Sequence, residues 1–367
     1  MFRAVSLLAA LSPLANAAAV PYSKLQLRQE SVTPINSTLG NVTIFATGGT
    51  IAGSSNSQTA TTGYTAGAVA ISTLIEAVPE LVNVSNVYGV QVANVDSGNI
   101  NATILLELNR QITADLAKDT TSGAVVTHGT DTLEETAFFL DLTINSPKPV
   151  VVVGAMRPST AISADGPLNL YQAVKLAVTP EARERGTMVT LNDRITSAYY
   201  AVKNHANALD TFFAREQGHL GFFLNQVPNF YYNAATPAGK PIFDLASRNL
   251  SSLPHVDILY GHQDSNPELI RAAALSGAEG IVFAGTGAGG WTSAGVKVAE
   301  EVYNATGIPM VFSSRTMNGF VPPTDDWEIA SSDLDPQKAR ILLQCALAVG
   351  MNTTEIADIF ASLQVES

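Results

Sequence analysis

Val42-Thr43-Ile44-Phe45-Ala46-Thr47-Gly48-Gly49-Thr50-Ile51-Ala52-Gly53 decides the fold of this 367-residue chain. A short, continuous, β-branched apolar run reads as a strand buried on both faces, and it breaks directly into glycine and hydroxyl residues. Gly123-Ala124-Val125-Val126-Thr127-His128-Gly129-Thr130-Asp131-Thr132-Leu133-Glu134-Glu135-Thr136 repeats the design. Crevices in open α/β sheets form at such carboxyl ends of parallel strands. The glycines let backbone N–H groups approach a ligand, and the threonine hydroxyls are candidate nucleophiles.

Outward from these two loops, strand-like runs at Val150 to Val153 and Met188 to Leu191 alternate with helical segments Thr136 to Ile144 and Leu168 to Val178. Thr132 with Glu135 has the spacing of a capping box for the first helix. A second series follows the Pro/Gly/Ser-rich stretch from Thr236 to Pro254. It carries strand candidates at Val256 to Tyr260, Gly280 to Ala284 and Pro309 to Ser313, and helix candidates at Glu268 to Ser276, Ser293 to Thr306 and Pro336 to Ala348. The expectation is two α/β domains: a catalytic domain at 41–235, a linker at 236–256 and a smaller C-terminal domain at 257–367.

Hydrophobic residues make up 46% of the chain and charged residues 14%, which excludes the composition of a disordered protein. The net charge of −12 argues against nucleic acid, whose backbone is held by clustered Lys and Arg. Met1-Phe2-Arg3, the apolar run Ala4 to Leu14 and Ala15-Asn16-Ala17 predict a secretory signal at 1–17, followed by an N-terminal extension at 18–40. The run is too short to span a membrane, which takes about 20 residues. Asn-x-Ser/Thr sequons begin at Asn36, Asn41, Asn83, Asn101, Asn249, Asn304 and Asn352, so a secreted, N-glycosylated protein, extracellular or cell-wall associated, is expected. The single cysteine, Cys345, excludes an intrachain disulfide and reads as a buried helix residue.

Thr47 to Gly53 and His128 to Thr136 resemble the two signature segments of the L-asparaginase/glutaminase family, in its bacterial type II and secreted fungal forms. Gly154-Ala155-Met156-Arg157-Pro158-Ser159-Thr160, Ser163-Ala164-Asp165-Gly166-Pro167, Asn192-Asp193 and Leu334-Asp335-Pro336-Gln337-Lys338-Ala339-Arg340 extend the likeness from about residue 41 to the C-terminus. The resemblance implies a flavodoxin-like, doubly wound, mostly parallel sheet in the larger domain. It also implies hydrolysis of L-asparagine without metal or cofactor, a minor L-glutaminase activity, and a homotetramer built as a dimer of dimers. By the same resemblance Thr50 is the nucleophile, with Tyr64 beside it. Thr130, Lys203 and Asp131 form a second constellation. Asp131, Ser97, Thr130 and Gly98 meet the substrate. Lys203 can act as a base only where burial or a nearby cation favours its neutral amine. His128 is read as a structural imidazole supporting its loop, and no histidine spacing suggests zinc.

The chain departs from the family pattern in three places. Gly285-Thr286-Gly287-Ala288-Gly289-Gly290 holds glycine and alanine where relatives often have an asparagine. Relatives often carry a glutamate after Ser314-Arg315-Thr316-Met317-Asn318-Gly319, where the nearest acids here are Asp325 and Asp326, and Asp326 is expected to be the group that reaches into a neighbouring subunit's site. Gly98 stands where bacterial forms often carry glutamine. Gly285 to Gly290 also matches G-x-G-x-x-G between a strand and a helix, which offers a rival reading as an NAD-dependent oxidoreductase or nucleotide-binding protein.

Overall fold

The structure is a computed structural model that describes residues 32–33, 35–59, 63, 65–324 and 327–363. The expected signal segment 1–17, most of the extension, Tyr64 and Asp326 lie outside the described residues.

The chain runs through β1 (Asn41–Gly48), α1 (Ile71–Glu76), β2 (Asn86–Val95), α2 (Ala102–Leu116), β3 (Thr121–Thr127), α3 (Leu133–Thr143), β4 (Val150–Val153), α4 (Gly166–Val178) and β5 (Thr187–Leu191). Each of these strands pairs in parallel with its neighbours, in the order β5-β4-β3-β1-β2. That is the doubly wound order expected, and it reverses direction between β1 and β3. The switch point therefore falls between the two glycine-hydroxyl loops. Side chains alternate across the sheet. Val42, Ile44 and Ala46 pack with α1 and α4, whereas Phe45, Ala124 and Val126 pack with α2 and α3.

The sheet is widened by antiparallel strands: β6 (Arg194–Ser197), then, after the separate ribbon β7 (Ala201–Lys203) and β8 (Phe212–Ala214), β9 (Gly221–Leu224) and β10 (Val227–Phe230). The Asn192-Asp193 pair is the two-residue turn between β5 and β6, with φ of 50° and 62°. Positive φ at both central positions is what a tight hairpin requires, and Asn and Asp tolerate it. A second hairpin turns at Asn225 and Gln226 in the same way.

The remainder forms β11 (Val256–Tyr260), α5 (Glu268–Leu275), β12 (Gly280–Gly285), α6 (Ser293–Thr306), β13 (Met310–Ser314), β14 (Ile329–Ala330), α7 (Pro336–Ala348) and α8 (Thr353–Ser362). Its four strands make one parallel sheet in sequence order. One face packs on α5 and α6 through Phe283 and Phe312. The other contributes Val256, Val282 and Val311, with α7, to the same core that holds α2 and α3. Cys345 is fully buried there, as expected.

One local expectation fails. Thr132 stands at the N-cap of α3, but its hydroxyl donates to the Ser97 carbonyl at 2.8 Å and caps nothing. The helix instead opens with two glutamates in its first turn, favourable to the dipole. The capping box forms at α8, between Asn352 and Glu355.

Candidate active site

The site is built where two backbones touch. Ala46 of β1 lies in register with Thr127 of β3, so both loops leave the sheet at the same level. The Thr47 hydroxyl donates to the Thr127 carbonyl at 2.9 Å. Gly49 has φ 78° and ψ −169°, a region open essentially to glycine alone. A Cβ on it would lie 2.2 Å from both the backbone N and the Cα of Gly129. A Cβ on Gly129 would in turn lie 2.9 Å from Ser97 Cβ. Three segments, after β1, β2 and β3, thus meet closely, the first and third backbone to backbone and the second through the Ser97 side chain. Thr50 follows immediately, in a short 3₁₀ turn, and is 6% exposed.

His128 is fully buried, with Nδ1–H donating to the Gly129 carbonyl at 2.7 Å and Nε2 accepting from the Thr136 hydroxyl at 2.9 Å. Burial lowers its pKa to about 4 against the small opposing effect of the Gly129 carbonyl. It is a neutral imidazole bracing the loop, with both nitrogens engaged.

Thr130 is buried and Asp131 is open to solvent, its side chain 71% exposed. The two converge on Lys203 at the end of β7. Its Nζ donates to Thr130 Oγ1 at 3.0 Å and to Asp131 Oδ1 at 2.5 Å. The lysine side chain is only 14% exposed, and its backbone N–H donates to the carboxylate of Glu134. Lys203 is therefore no ordinary surface lysine, although nothing near it in sequence marks it as special.

Thr130, Asp131 and Lys203 line a cleft of about 480 Å³ together with Asp96, Arg157 and Asn207. Gly63, next to Tyr64, lines the same cleft, while Tyr64 itself lies outside the described residues. Ser97 is buried and its carbonyl is held by Thr132. Gly98 has open space where a side chain would stand. Asp165 accepts from the backbone N–H groups of Met156 and Arg157, both at 2.9 Å, which shapes the loop after β4 around the cleft. No local signal in the sequence marks Asp96, Arg157 or Glu134 as site residues: Arg157 and Glu134 lie within the family-like segments, yet only folding reveals what they face.

The Gly285 to Gly290 loop does not have the form of a phosphate-binding turn. Thr286 and Gly290 exchange both backbone hydrogen bonds, at 2.8 and 2.7 Å, so the loop closes on itself. A Cβ on Gly285 would strike the Gly289 carbonyl at 2.6 Å. Its glycines serve that closure, and the following helix is capped separately by Thr292. The dinucleotide reading has no support here. Among the described residues, no group of three or more His, Cys, Asp or Glu is arranged to hold a metal ion, and no helix is long and apolar enough to cross a membrane.

Comparison with known proteins agrees with this architecture. Residues 41–236 match the asparaginase N-terminal family model, and residues 255–360 match the glutaminase/asparaginase C-terminal domain. L-asparaginase 2-3 of Saccharomyces cerevisiae is 50% identical over 343 residues, covering 92% of this chain and 93% of its own. L-asparaginase 2 of Bacillus subtilis is 51% identical, covering 84% of this chain and 83% of its own. The glutaminase-asparaginase of Acinetobacter glutaminasificans is 40% identical, covering 87% of this chain and 98% of its own. A crystal structure of a probable cytoplasmic L-asparaginase from Campylobacter jejuni superposes with a TM-score of 0.83 at 44% identity, covering 88% of this chain and 99% of its own. That description overturns the expectation of an extracellular, N-glycosylated protein. The expectation rested on residues 1–17, which lie outside the described part of the chain, and on the Asn-x-Ser/Thr sequons. Matched along both of its sheets, and half identical to the yeast protein over nine-tenths of its length, the chain belongs to the L-asparaginase/glutaminase family.

Proposed function

We propose that this enzyme converts L-asparagine and water to L-aspartate and ammonia through a threonine-bound acyl-enzyme, with a minor L-glutaminase activity. The observation that carries this reading is the convergence of Lys203 Nζ on Thr130 Oγ1 and Asp131 Oδ1 at the rim of a cleft, across more than 70 residues of sequence.

In the proposed reaction the Thr50 hydroxyl attacks the side-chain amide carbon and its proton passes to a base. The C–N bond breaks as the departing nitrogen takes up a proton, leaving an aspartyl ester on Thr50. Water attached across the ester carbon, with loss of its own proton, then releases aspartate and regenerates the hydroxyl. Backbone N–H groups in the two glycine loops would face the oxyanion, where fixed donors contribute most. Asp131 and Ser97 would hold the α-amino and α-carboxylate groups, and Gly98 would border them. Asp131 already holds the Lys203 ammonium. A cationic substrate amine arriving at the same carboxylate would compete with Lys203 for it, and Lys203 would exchange a proton with Thr130. By the family resemblance Tyr64 would act beside Thr50.

The proposal extends to a homotetramer in which Asp326 of a neighbouring subunit completes the site. It also takes 41–235 as the catalytic domain and 257–367 as the smaller one.

The test is ammonia release from L-asparagine and L-glutamine by the parent, Thr50→Ala and Thr130→Ala, with folding checked by circular dichroism. Loss of turnover in folded Thr50→Ala, with a trapped ester absent from that variant alone, supports the assignment. Near-normal turnover by folded Thr50→Ala sinks it.

A further inference from the structure

Lys203 lies in a ribbon of three-residue strands, β7 and β8, apart from the main sheet. Such a short ribbon does little to fix its own end. The constraint comes from α3: the Glu134 carboxylate accepts the Lys203 backbone N–H from a position where the glutamate is only 6% exposed. Glu134 is one turn from Thr130 and Asp131 in the motif, so the segment that supplies both side-chain partners of Lys203 Nζ also holds its backbone.

We propose that Glu134 is a positioning residue for Lys203, fixing the lysine's backbone so that its amine meets Thr130 and Asp131 together. The inference rests on the proposed role of Lys203 as a proton-transfer group.

The surroundings say what kind of contact this is. Around Glu134 stand Asp335 at the N-cap of α7, Lys338 within that helix and its own helix neighbour Glu135, and Arg215, after β8, borders the same cleft of about 370 Å³ as Glu134 and Lys203. Lys338 is fully buried and donates to the Tyr199 carbonyl at 2.7 Å, so its ammonium is already committed. Arg215 reaches toward Asp335. Burial, and then the Asp335 carboxylate, raise the Glu134 pKa to about 7, with Lys338 and the Lys203 N–H pulling the other way. Near neutrality Glu134 is therefore divided between its two forms. What both forms offer Lys203 is an acceptor oxygen at a fixed reach, and charge is secondary.

That distinction makes the inference testable. Glu134→Gln keeps an acceptor oxygen at the same reach, Glu134→Asp keeps the charge but falls short by one methylene, and Glu134→Leu keeps the bulk with no acceptor. Misplacing a catalytic group by about 1 Å can cost about 10²-fold. Leu and Asp are expected to lose about 10²-fold in kcat with KM little changed, and Gln to stay within about 5-fold of the parent. Folded Glu134→Leu at parental kcat overturns the inference. So does a Gln variant as impaired as the Asp variant, a comparison that stands even where Leu fails to fold. Lys203→Met is measured in parallel. If it is inactive while Glu134→Leu is active, only the positioning role falls. If Lys203→Met is itself active, the role proposed for the lysine falls and this inference with it.

Discussion

Gly49→Ala puts the closeness of the two signature loops to the test. The native backbone at Gly49, φ 78° and ψ −169°, costs an alanine about 1–3 kcal/mol of local strain. The new methyl would stand 2.2 Å from Gly129 N and Cα, more than 1 Å inside ordinary van der Waals contact, and both neighbours are backbone with no rotamer to yield. Forced overpacking of this kind adds about 1–3 kcal/mol. The expected loss of stability is about 2–6 kcal/mol. Relief can come only by spreading the loop after β1 from the loop after β3, which moves Thr50 relative to Thr130. A displacement near 1 Å predicts a fall in kcat/KM of about 10²-fold, equivalent to about 2.7 kcal/mol in the barrier. Urea unfolding followed by circular dichroism and ammonia release from L-asparagine read the two effects separately. Gly98→Ala is the control, because its Cβ meets open space and should change stability by no more than about 0.5 kcal/mol. A Gly49→Ala protein with parental urea midpoint and parental kcat/KM would refute the reasoning from contact to chemistry.

Other perturbations follow from single contacts. Lys240→Met removes the only cation bonded to Asp141 among the described residues, a pair at 3.0 Å with side chains 8% and 2% exposed, and should cost about 3–5 kcal/mol at neutral pH. Burial already raises the Asp141 pKa against the pull of Lys240, so without the lysine the native state binds the extra proton more strongly. The deficit should shrink on acidification, and a deficit that grows would refute this sign. His128, with its pKa lowered to about 4 from an ordinary 6.5, gives stability that is full above pH 6.5 and lost as pH falls toward 4, about 3 kcal/mol in all. His128→Gln should flatten the stability profile over that window in urea titrations at stepped pH, and an unchanged slope would place the effect elsewhere. Thr132→Val removes the hydroxyl that holds the Ser97 carbonyl and should cost about 1 kcal/mol of stability. Its kinetic signature, on the proposed substrate contact at Ser97, is a raised KM with kcat preserved; a fall in kcat at constant KM would contradict it.

What could be read from sequence and what could not divide along a physical line. β4, β11, α6 and α7 begin and end where the residues predict, because each is a contiguous apolar or capped segment whose signal is local. The strands β6, β9 and β10 have no run in the sequence that marks them: they are short, and their identity comes from pairing with one another and with β5 more than from their own pattern. The capping box at Thr132 misled because the same hydroxyl had a tertiary acceptor, Ser97, 35 residues away. Likewise the G-x-G-x-x-G match at 285–290 is a true pattern of glycines that serves a backbone closure.

The same line runs through the site itself. Thr50, Thr130 and Asp131 stand out in the sequence because two strand ends each gather glycine and hydroxyl residues within a few positions. Their usefulness depends on relations that no local segment encodes: Gly49 against Gly129, Ser97 beneath them, and Lys203 brought in from a ribbon outside the sheet. A switch point supplies the first two at little cost, since strands in register end together and their loops must share one crevice. It does not supply the lysine, whose strand belongs to no part of that sheet. Here a buried carboxylate on the helix that follows the second loop grips the lysine's backbone, so one segment supplies Thr130, Asp131 and the hold on Lys203, whose amine bonds to both. Perturbing α3 should therefore disturb proton transfer before it disturbs substrate binding, whereas perturbing the contact between the loops should disturb both.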